Sequence, residues 1–156
     1  MNNGLMQRLA VFFLPMVLAW PATAADGPEV LAAWARATPP GATVGAVYLT
    51  LEGGAVADRL TGATSDRASS VELHSVEEVD GIARMRPLKS LEIPARTRVE
   101  LAPGGHHLML LGLDSPLVSG DELTVVLAFE ASGSKSVEVP IRPASAMDEP
   151  SHHQHH

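Results

Sequence analysis

The 156-residue sequence contains no cysteine. Disulfide bonds, cysteine-ligated zinc and iron–sulfur clusters are therefore excluded, and so is a blue-copper centre, which requires a thiolate ligand. Any site for a soft metal ion must be built from Met and His side chains. A domain of about 130 residues can still be stable without disulfides if it buries an adequate core.

Basic residues are also scarce, with 11 Lys and Arg against 18 Asp and Glu. Proteins hold nucleic acid mainly through Lys and Arg, so this composition disfavours a nucleic-acid partner. An acidic surface is compatible with attracting cations, although net charge by itself does not indicate a site.

Residues 9–20 form an apolar run that is too short to cross a bilayer as a helix. A mildly positive segment precedes it, and Ala22-Thr23-Ala24 follows, which is the small-x-small pattern of a cleavage site. We predict a cleaved signal peptide over residues 1–24, export out of the cytoplasm and no membrane insertion after cleavage. The alternative, an N-terminal membrane anchor, is disfavoured by the shortness of the run.

The rest of the chain consists of short apolar segments separated by Gly, Pro, Asp and Ser, with no convincing 3.6-residue period. About eight or nine short strands at this spacing predict an all-β sandwich or barrel over residues 25–143. Asp80-Gly81 between two apolar runs predicts a hairpin, and residues 132–135 predict a turn before a last strand at 136–141. Residues 144–156 have nothing to bury, so we expect this tail to be disordered.

Pro103-Gly104-Gly105 introduces a strand on which His107 and Met109 share one face. Imidazole suits copper and zinc, whereas thioether sulfur is a soft donor that favours Cu(I). The alternative is that Met109 merely fills the core. His106 points to the other face, which favours a rim or supporting position over ligation.

The predicted hairpin adds a second pair of donors. Folding the chain at residues 80–81 brings His74 and Met85 close to opposite one another, within a residue or two of register. Two imidazoles and two thioethers could therefore converge from separate parts of the sequence. Such a set favours Cu(I) over zinc.

The order His74, ten residues, Met85, twenty-one residues, His107, one residue and Met109 resembles the H-x10-M-x21-H-x-M motif of the PCuAC periplasmic copper chaperones. The resemblance covers roughly residues 29–141. It implies a cupredoxin-like Greek-key β-sandwich that binds one Cu(I) through these four residues. It also implies delivery toward the copper A centre of cytochrome c oxidase subunit II, alongside Sco-type proteins, by a carrier that is not an enzyme. We expect a monomer.

A second candidate metal site lies in the tail, where four His residues fall within five positions. His-rich tracts chelate metal ions, and with a single thioether nearby this one suits Cu(II) or zinc better than Cu(I). A purification tag is the alternative reading, but Gln154 interrupts the run. The candidate ligands are Met147, His152, His153, His155 and His156.

Two other classes of function remain as alternatives. An exported β-sandwich could recognise a protein or a glycan and contain His and Met only incidentally. A metal-dependent enzyme would need an open coordination position and a general base, and no such base is identifiable in the sequence. Trp34 and Tyr48 are expected to lie in the core because they are large side chains on strands.

Overall fold

A computed structural model describes residues 27–145. This part of the chain contains strands and turns only, which confirms the all-β prediction, and it holds no helix long and apolar enough to cross a membrane. The predicted signal peptide (residues 1–24) and tail residues 146–156 lie outside the described residues. The strands are β1 (Glu29–Arg36), β2 (Val44–Glu52), β3 (Asp58–Ser65), β4 (Ala68–Val79), β5 (Ile82–Pro87), β6 (Leu91–Ile93), β7 (Arg98–Leu101), β8 (His107–Leu113), β9 (Glu122–Phe129) and β10 (Gly133–Arg142).

Seven of the strands form a ring in the order β4, β8, β2, β1, β10, β9 and β3. Pairing of Ala63 on β3 with Val71 on β4 closes it into a barrel-like sandwich. The β1–β10 pair is parallel and the other pairs are antiparallel. The remaining strands extend this ring: β5 pairs with β4, β6 with β3 and β7 with β2.

Alternation along the strands fills the inside of the barrel with apolar side chains. On β9, Leu123, Val125, Leu127 and Phe129 are buried, and the residues between them are more exposed. On β8, Leu108 and Leu110 are completely buried and belong to the same core. Burying a Leu or Val side chain contributes about 1.5–3 kcal/mol. The inward position of Leu108 and Leu110 turns His107 and Met109 to the outer face.

Trp34 and Tyr48 lie on the outer face of the sheet and not inside the barrel, and the burial expected from the sequence is complete only for Tyr48. They lie opposite one another on β1 and β2, in register with the outward-facing positions of β8. Tyr48 is buried and Trp34 half-buried, but both are covered by neighbours on the outer face. The large apolar rings of Trp34 and Tyr48 indicated that both side chains would be covered. They did not indicate on which face of the sheet the two side chains lie.

The last strand begins earlier than predicted. β10 starts at Gly133, so the turn occupies residues 130–132 and not 132–135. The buried carboxylate of Asp58 accepts hydrogen bonds from the backbone N–H groups of Ala131 and Ser132. Gly133 then has a φ of +82°, which glycine tolerates without steric cost. This long-range anchor sets the turn and is invisible in the local sequence.

Candidate metal centre

The two core histidines meet across the pairing of β4 and β8. His74 lies directly opposite His107, and Glu72 lies opposite Met109. Residues opposite one another in an antiparallel pair project from the same face. The two ring centroids lie 5.9 Å apart, with 39° between the ring planes. The register therefore brings two imidazoles, one thioether and one carboxylate together on the outer face.

Met85 reaches the same face from the β4–β5 hairpin. It lies opposite Val76, two positions from His74, as the sequence predicted. Asp80 and Gly81 form the turn with φ values of +54° and +75°, as a two-residue type I′ hairpin requires. Met85 is 51% exposed because β5 lies at the edge of the strand order.

Met85, His107 and Met109 line a cleft of 380 Å³. His74 lies beside His107 and is 9% exposed. A larger cavity of 630 Å³ lies at the other end of β2, near Glu52 and Lys135, and has no His or Met in its lining. The remaining wall of the smaller cleft consists of Arg36, Ala37, Thr38, Pro39, Val44, Gly45, Ala46, Tyr48, Val76 and Gly104.

A hydrogen bond to the backbone fixes the ring of His107, which lines this cleft. Its Nδ1 lies 3.2 Å from the carbonyl oxygen of Gly105, so Nδ1–H donates to that oxygen. In a neutral imidazole the other nitrogen, Nε2, then carries the lone pair. A backbone carbonyl that fixes the ring in this way is a common support for metal-binding histidines.

A hydrogen bond at Nε2 fixes the ring of His74, whereas the ring of His107 is fixed at Nδ1. Its Nε2 lies 2.8 Å from Oε2 of Glu72, whereas Nδ1 is buried and has no hydrogen-bond partner among residues 27–145. Because a buried polar atom without a partner is costly, this nitrogen is a candidate to bind an ion. The role of Glu72 was not predicted, although its position two residues before His74 on an alternating strand was a usable signal.

A line of rings supports His107 from its other side. The Tyr48 and His107 centroids are 6.4 Å apart, and those of Trp34 and Tyr48 are 4.5 Å apart. The guanidinium of Arg142 lies 5.7 Å from the Trp34 ring centroid, within the range of a cation–π contact. Packing between these rings limits the orientations that His107 can adopt.

The donors present restrict which ion could bind here. In residues 27–145, no three His, Cys, Asp or Glu side chains lie close enough together to hold a metal ion. A metal at this cleft would therefore need thioether sulfur in addition to the two imidazoles. This donor set fits Cu(I) better than zinc.

The other candidate residues are not brought to this cluster. His106 precedes β8, is half-buried, and has an Nδ1 atom without a hydrogen-bond partner in the described region. Alternation directs its side chain away from the face of His107. The tail candidates Met147, His152, His153, His155 and His156 lie outside the described residues.

Comparison with known proteins places the chain in a family. Residues 29–141 match the family described as "Putative lipoprotein LpqE-like". A protein of Leifsonia xyli subsp. xyli, "Putative lipoprotein Lxx21020", is 39% identical over 139 residues, which cover 87% of this chain and 82% of that protein.

Solved structures share the fold. The copper-bound PCuAC domain from PmoF2 is 24% identical with a TM-score of 0.63, covering 76% of this chain and 96% of that domain. CuI-DR1885 from Deinococcus radiodurans is 28% identical with a TM-score of 0.59, covering 81% of each chain. The chain therefore belongs to the LpqE-like family and has the cupredoxin-like fold of PCuAC domains.

Proposed function

We propose that this protein is a copper carrier that holds one Cu(I) ion through His74, Met85, His107 and Met109 and passes it to an acceptor protein. The observation that carries the proposal is the cross-strand pairing of His74 with His107, beside two thioethers on one face. The likeness to structures named as copper-bound and CuI proteins agrees with it.

The spacing of the two rings is close to that required for a shared ion. An imidazole nitrogen binds such metals at about 2 Å, which puts the ring centroid about 3 Å from the ion. Four donors around one ion stand about 110° apart, which puts two such centroids about 5 Å from one another. The observed 5.9 Å is about 1 Å wider, so the two rings would have to move closer together when they bind the ion.

The protonation pattern also favours ligation. Each ring donates one N–H within the protein, His74 to Glu72 and His107 to Gly105, and keeps the other nitrogen for a metal. Metal ions bind the neutral form of imidazole. Thioethers are uncharged as well, so all four proposed ligands are neutral. A bound Cu(I) ion would therefore add one positive charge to the site.

Ligand exchange is the expected mechanism of transfer. Met85 is half exposed on the edge strand, whereas His74 and His107 are buried. An incoming donor from a partner would therefore replace Met85 first, while the imidazoles still hold the ion. This order keeps copper bound throughout the handover and requires no catalytic group.

The destination follows from the resemblance to the PCuAC chaperones. We propose transfer in the periplasm toward the copper A centre of cytochrome c oxidase subunit II, together with Sco-type proteins, by a monomeric carrier that is not an enzyme. The proposed export depends on the predicted signal peptide at residues 1–24.

X-ray absorption at the copper edge tests the ligand set. With one equivalent of Cu(I), the wild-type protein should show both nitrogen and sulfur scattering. Met85→Ala and Met109→Ala should each remove about half of the sulfur contribution, because each deletes one of two thioethers.

Val56→Ala is the control, since it removes an exposed apolar side chain that does not line the cleft and should leave the spectrum unchanged. Equal sulfur scattering in all four proteins would refute the proposal. Cu(I) binding no tighter than that of an unrelated Met-containing protein would instead favour an exported module that recognises a protein or glycan.

A further inference from the structure

Glu72 is not one of the four proposed copper ligands, but it forms a hydrogen bond with one of them, His74. It lies two residues before His74 on β4, so both side chains project from the outer face. Glu72 Oε2 is 2.8 Å from His74 Nε2. The Glu72 side chain is 49% exposed and that of His74 only 11%, so one end of this hydrogen bond faces solvent and the other is enclosed.

This contact determines which nitrogen of His74 is protonated. An ionised carboxylate can only accept hydrogen bonds, so the proton must be on Nε2. The lone pair is then on Nδ1, which is the buried atom without a partner among residues 27–145. The other tautomer would leave Nε2 and the carboxylate as two facing acceptors, and would place an N–H where the ion should bind.

His107 has the reverse arrangement. Its Nδ1 donates to the carbonyl of Gly105, which leaves Nε2 as the free nitrogen. The two rings therefore differ in the atom available for a metal. The acceptor for His107 is a backbone carbonyl, which a side-chain substitution does not remove. The acceptor for His74 is the side chain of Glu72, which a substitution can remove.

We propose that Glu72 is a positioning residue that selects Nδ1 of His74 as a copper ligand, while His107 binds through Nε2. This inference rests on the proposed function. Carboxylates that orient metal-binding histidines typically change metal affinity by about 10–100-fold when they are removed. We expect a loss of that size for Glu72→Ala.

Long-range ¹H–¹⁵N NMR of the copper-free protein tests the tautomer, at a pH where imidazole is neutral. Wild-type His74 should be protonated at Nε2, and Glu72→Ala should give a mixture of tautomers. Glu72→Gln should retain more of the wild-type tautomer than Glu72→Ala, because its amide oxygen can accept the same hydrogen bond, but less than wild type, because its amide nitrogen can also donate to an unprotonated Nε2. Loading with diamagnetic Cu(I) should shift Nδ1 of His74 and Nε2 of His107.

Cu(I) affinity, measured by competition, should fall about 10–100-fold in Glu72→Ala and by a smaller factor in Glu72→Gln. Glu78→Ala is the matched control, since Glu78 is an exposed carboxylate on the same face of β4. It should have little effect, which separates hydrogen bonding from the loss of negative charge.

A wild-type His74 protonated at Nδ1, or equal affinities for Glu72→Ala and Glu78→Ala, would overturn the role of Glu72 while leaving the copper-carrier proposal intact. Failure of the wild-type protein to bind Cu(I) would overturn both. The tautomer measurement distinguishes these cases because it needs no copper.

Discussion

Asp58 is a buried carboxylate at the end of the barrel away from the cleft. Burial alone would raise the pKa of this carboxyl. Hydrogen bonds from the Ser132 hydroxyl and from three backbone N–H groups outweigh that effect and lower the pKa from the ordinary 3.8 to about 2. The charged form is therefore favoured by folding. It stabilises the protein above pH 3.8, and that stabilisation is lost as the pH falls toward 2.

We expect the wild-type protein to lose about 1–2 kcal/mol of unfolding free energy from this group between about pH 5 and pH 2.5. Asp58→Asn should be less stable at neutral pH by a similar or larger amount, because the amide nitrogen cannot accept hydrogen bonds. The difference between the two proteins should shrink as the pH falls. Urea unfolding across this range measures it.

Asp121→Asn is a suitable control, since Asp121 is exposed and its carboxylate makes no hydrogen bond within the described residues. Its stability should run parallel to that of wild type at every pH. A constant gap between Asp58→Asn and wild type from neutral pH down to pH 2.5 would contradict the assigned role.

At the scale of elements, the β4–β5 hairpin holds one proposed ligand at the edge of the sheet. Its turn requires positive φ at two successive residues, +54° at Asp80 and +75° at Gly81. Aspartate tolerates this conformation better than most residues, and glycine adopts it freely. The placement of Met85 therefore depends on a turn whose sequence requirements are narrow.

Gly81→Ala should destabilise the hairpin by about 1 kcal/mol, because alanine is disfavoured at this φ. Hydrogen exchange of the β5 amides should become about fivefold faster, while the β9 amides in the core keep their protection. Gly62→Ala is the control: this glycine has no positive φ and nothing within 4 Å of an added Cβ. An equal change in both variants would argue against turn strain.

The sequence predicted those elements whose signal is local. Short apolar segments between turn residues identified the all-β class, and Asp80-Gly81 identified the hairpin together with the approximate register of His74 and Met85. The start of β10 was wrong because the turn before it is fixed by Asp58, more than 70 residues earlier. Long-range hydrogen bonds of this kind leave no periodic pattern.

The candidate site could likewise be predicted only where its signal is local in the sequence. The spacing in the sequence placed His74 near Met85 on the hairpin, and His107 on the same face as Met109 on β8. The direct pairing of His74 with His107 depends on β4 lying beside β8, which hydrophobic patterning does not specify. Glu72 was missed because a carboxylate on an exposed strand face is ordinarily just a solvated side chain.

At the scale of the whole molecule, the chain leaves the barrel beside the cleft. Arg142, the last residue of β10, pairs with Arg36, which lines the cleft. The eleven residues after Ser145 could span at most about 36–40 Å when extended. The proposed tail ligands, Met147 and the four terminal His residues, are therefore attached within reach of the core site.

We propose that this tail captures Cu(II), which an external one-electron donor must reduce to Cu(I) before the folded site can accept it. A chain ending at Ala144 should bind at least one Cu(II) fewer than the full chain, since imidazole donors suit that ion. Its Cu(I) stoichiometry at the core should be unchanged. Equilibrium dialysis with each oxidation state measures both, and equal Cu(II) stoichiometry in the two chains would refute the role of the tail.

The solvent exposure of Met85 has a chemical cost. Peroxide reaches an exposed thioether readily and converts it to the sulfoxide, a polar group with an oxygen donor in place of the soft sulfur. Met109, on a central strand, is better shielded. Oxidative stress would thus disable the proposed carrier at the most exposed of its four proposed core ligands, and enzymatic reduction of the sulfoxide would restore it without resynthesis of the protein.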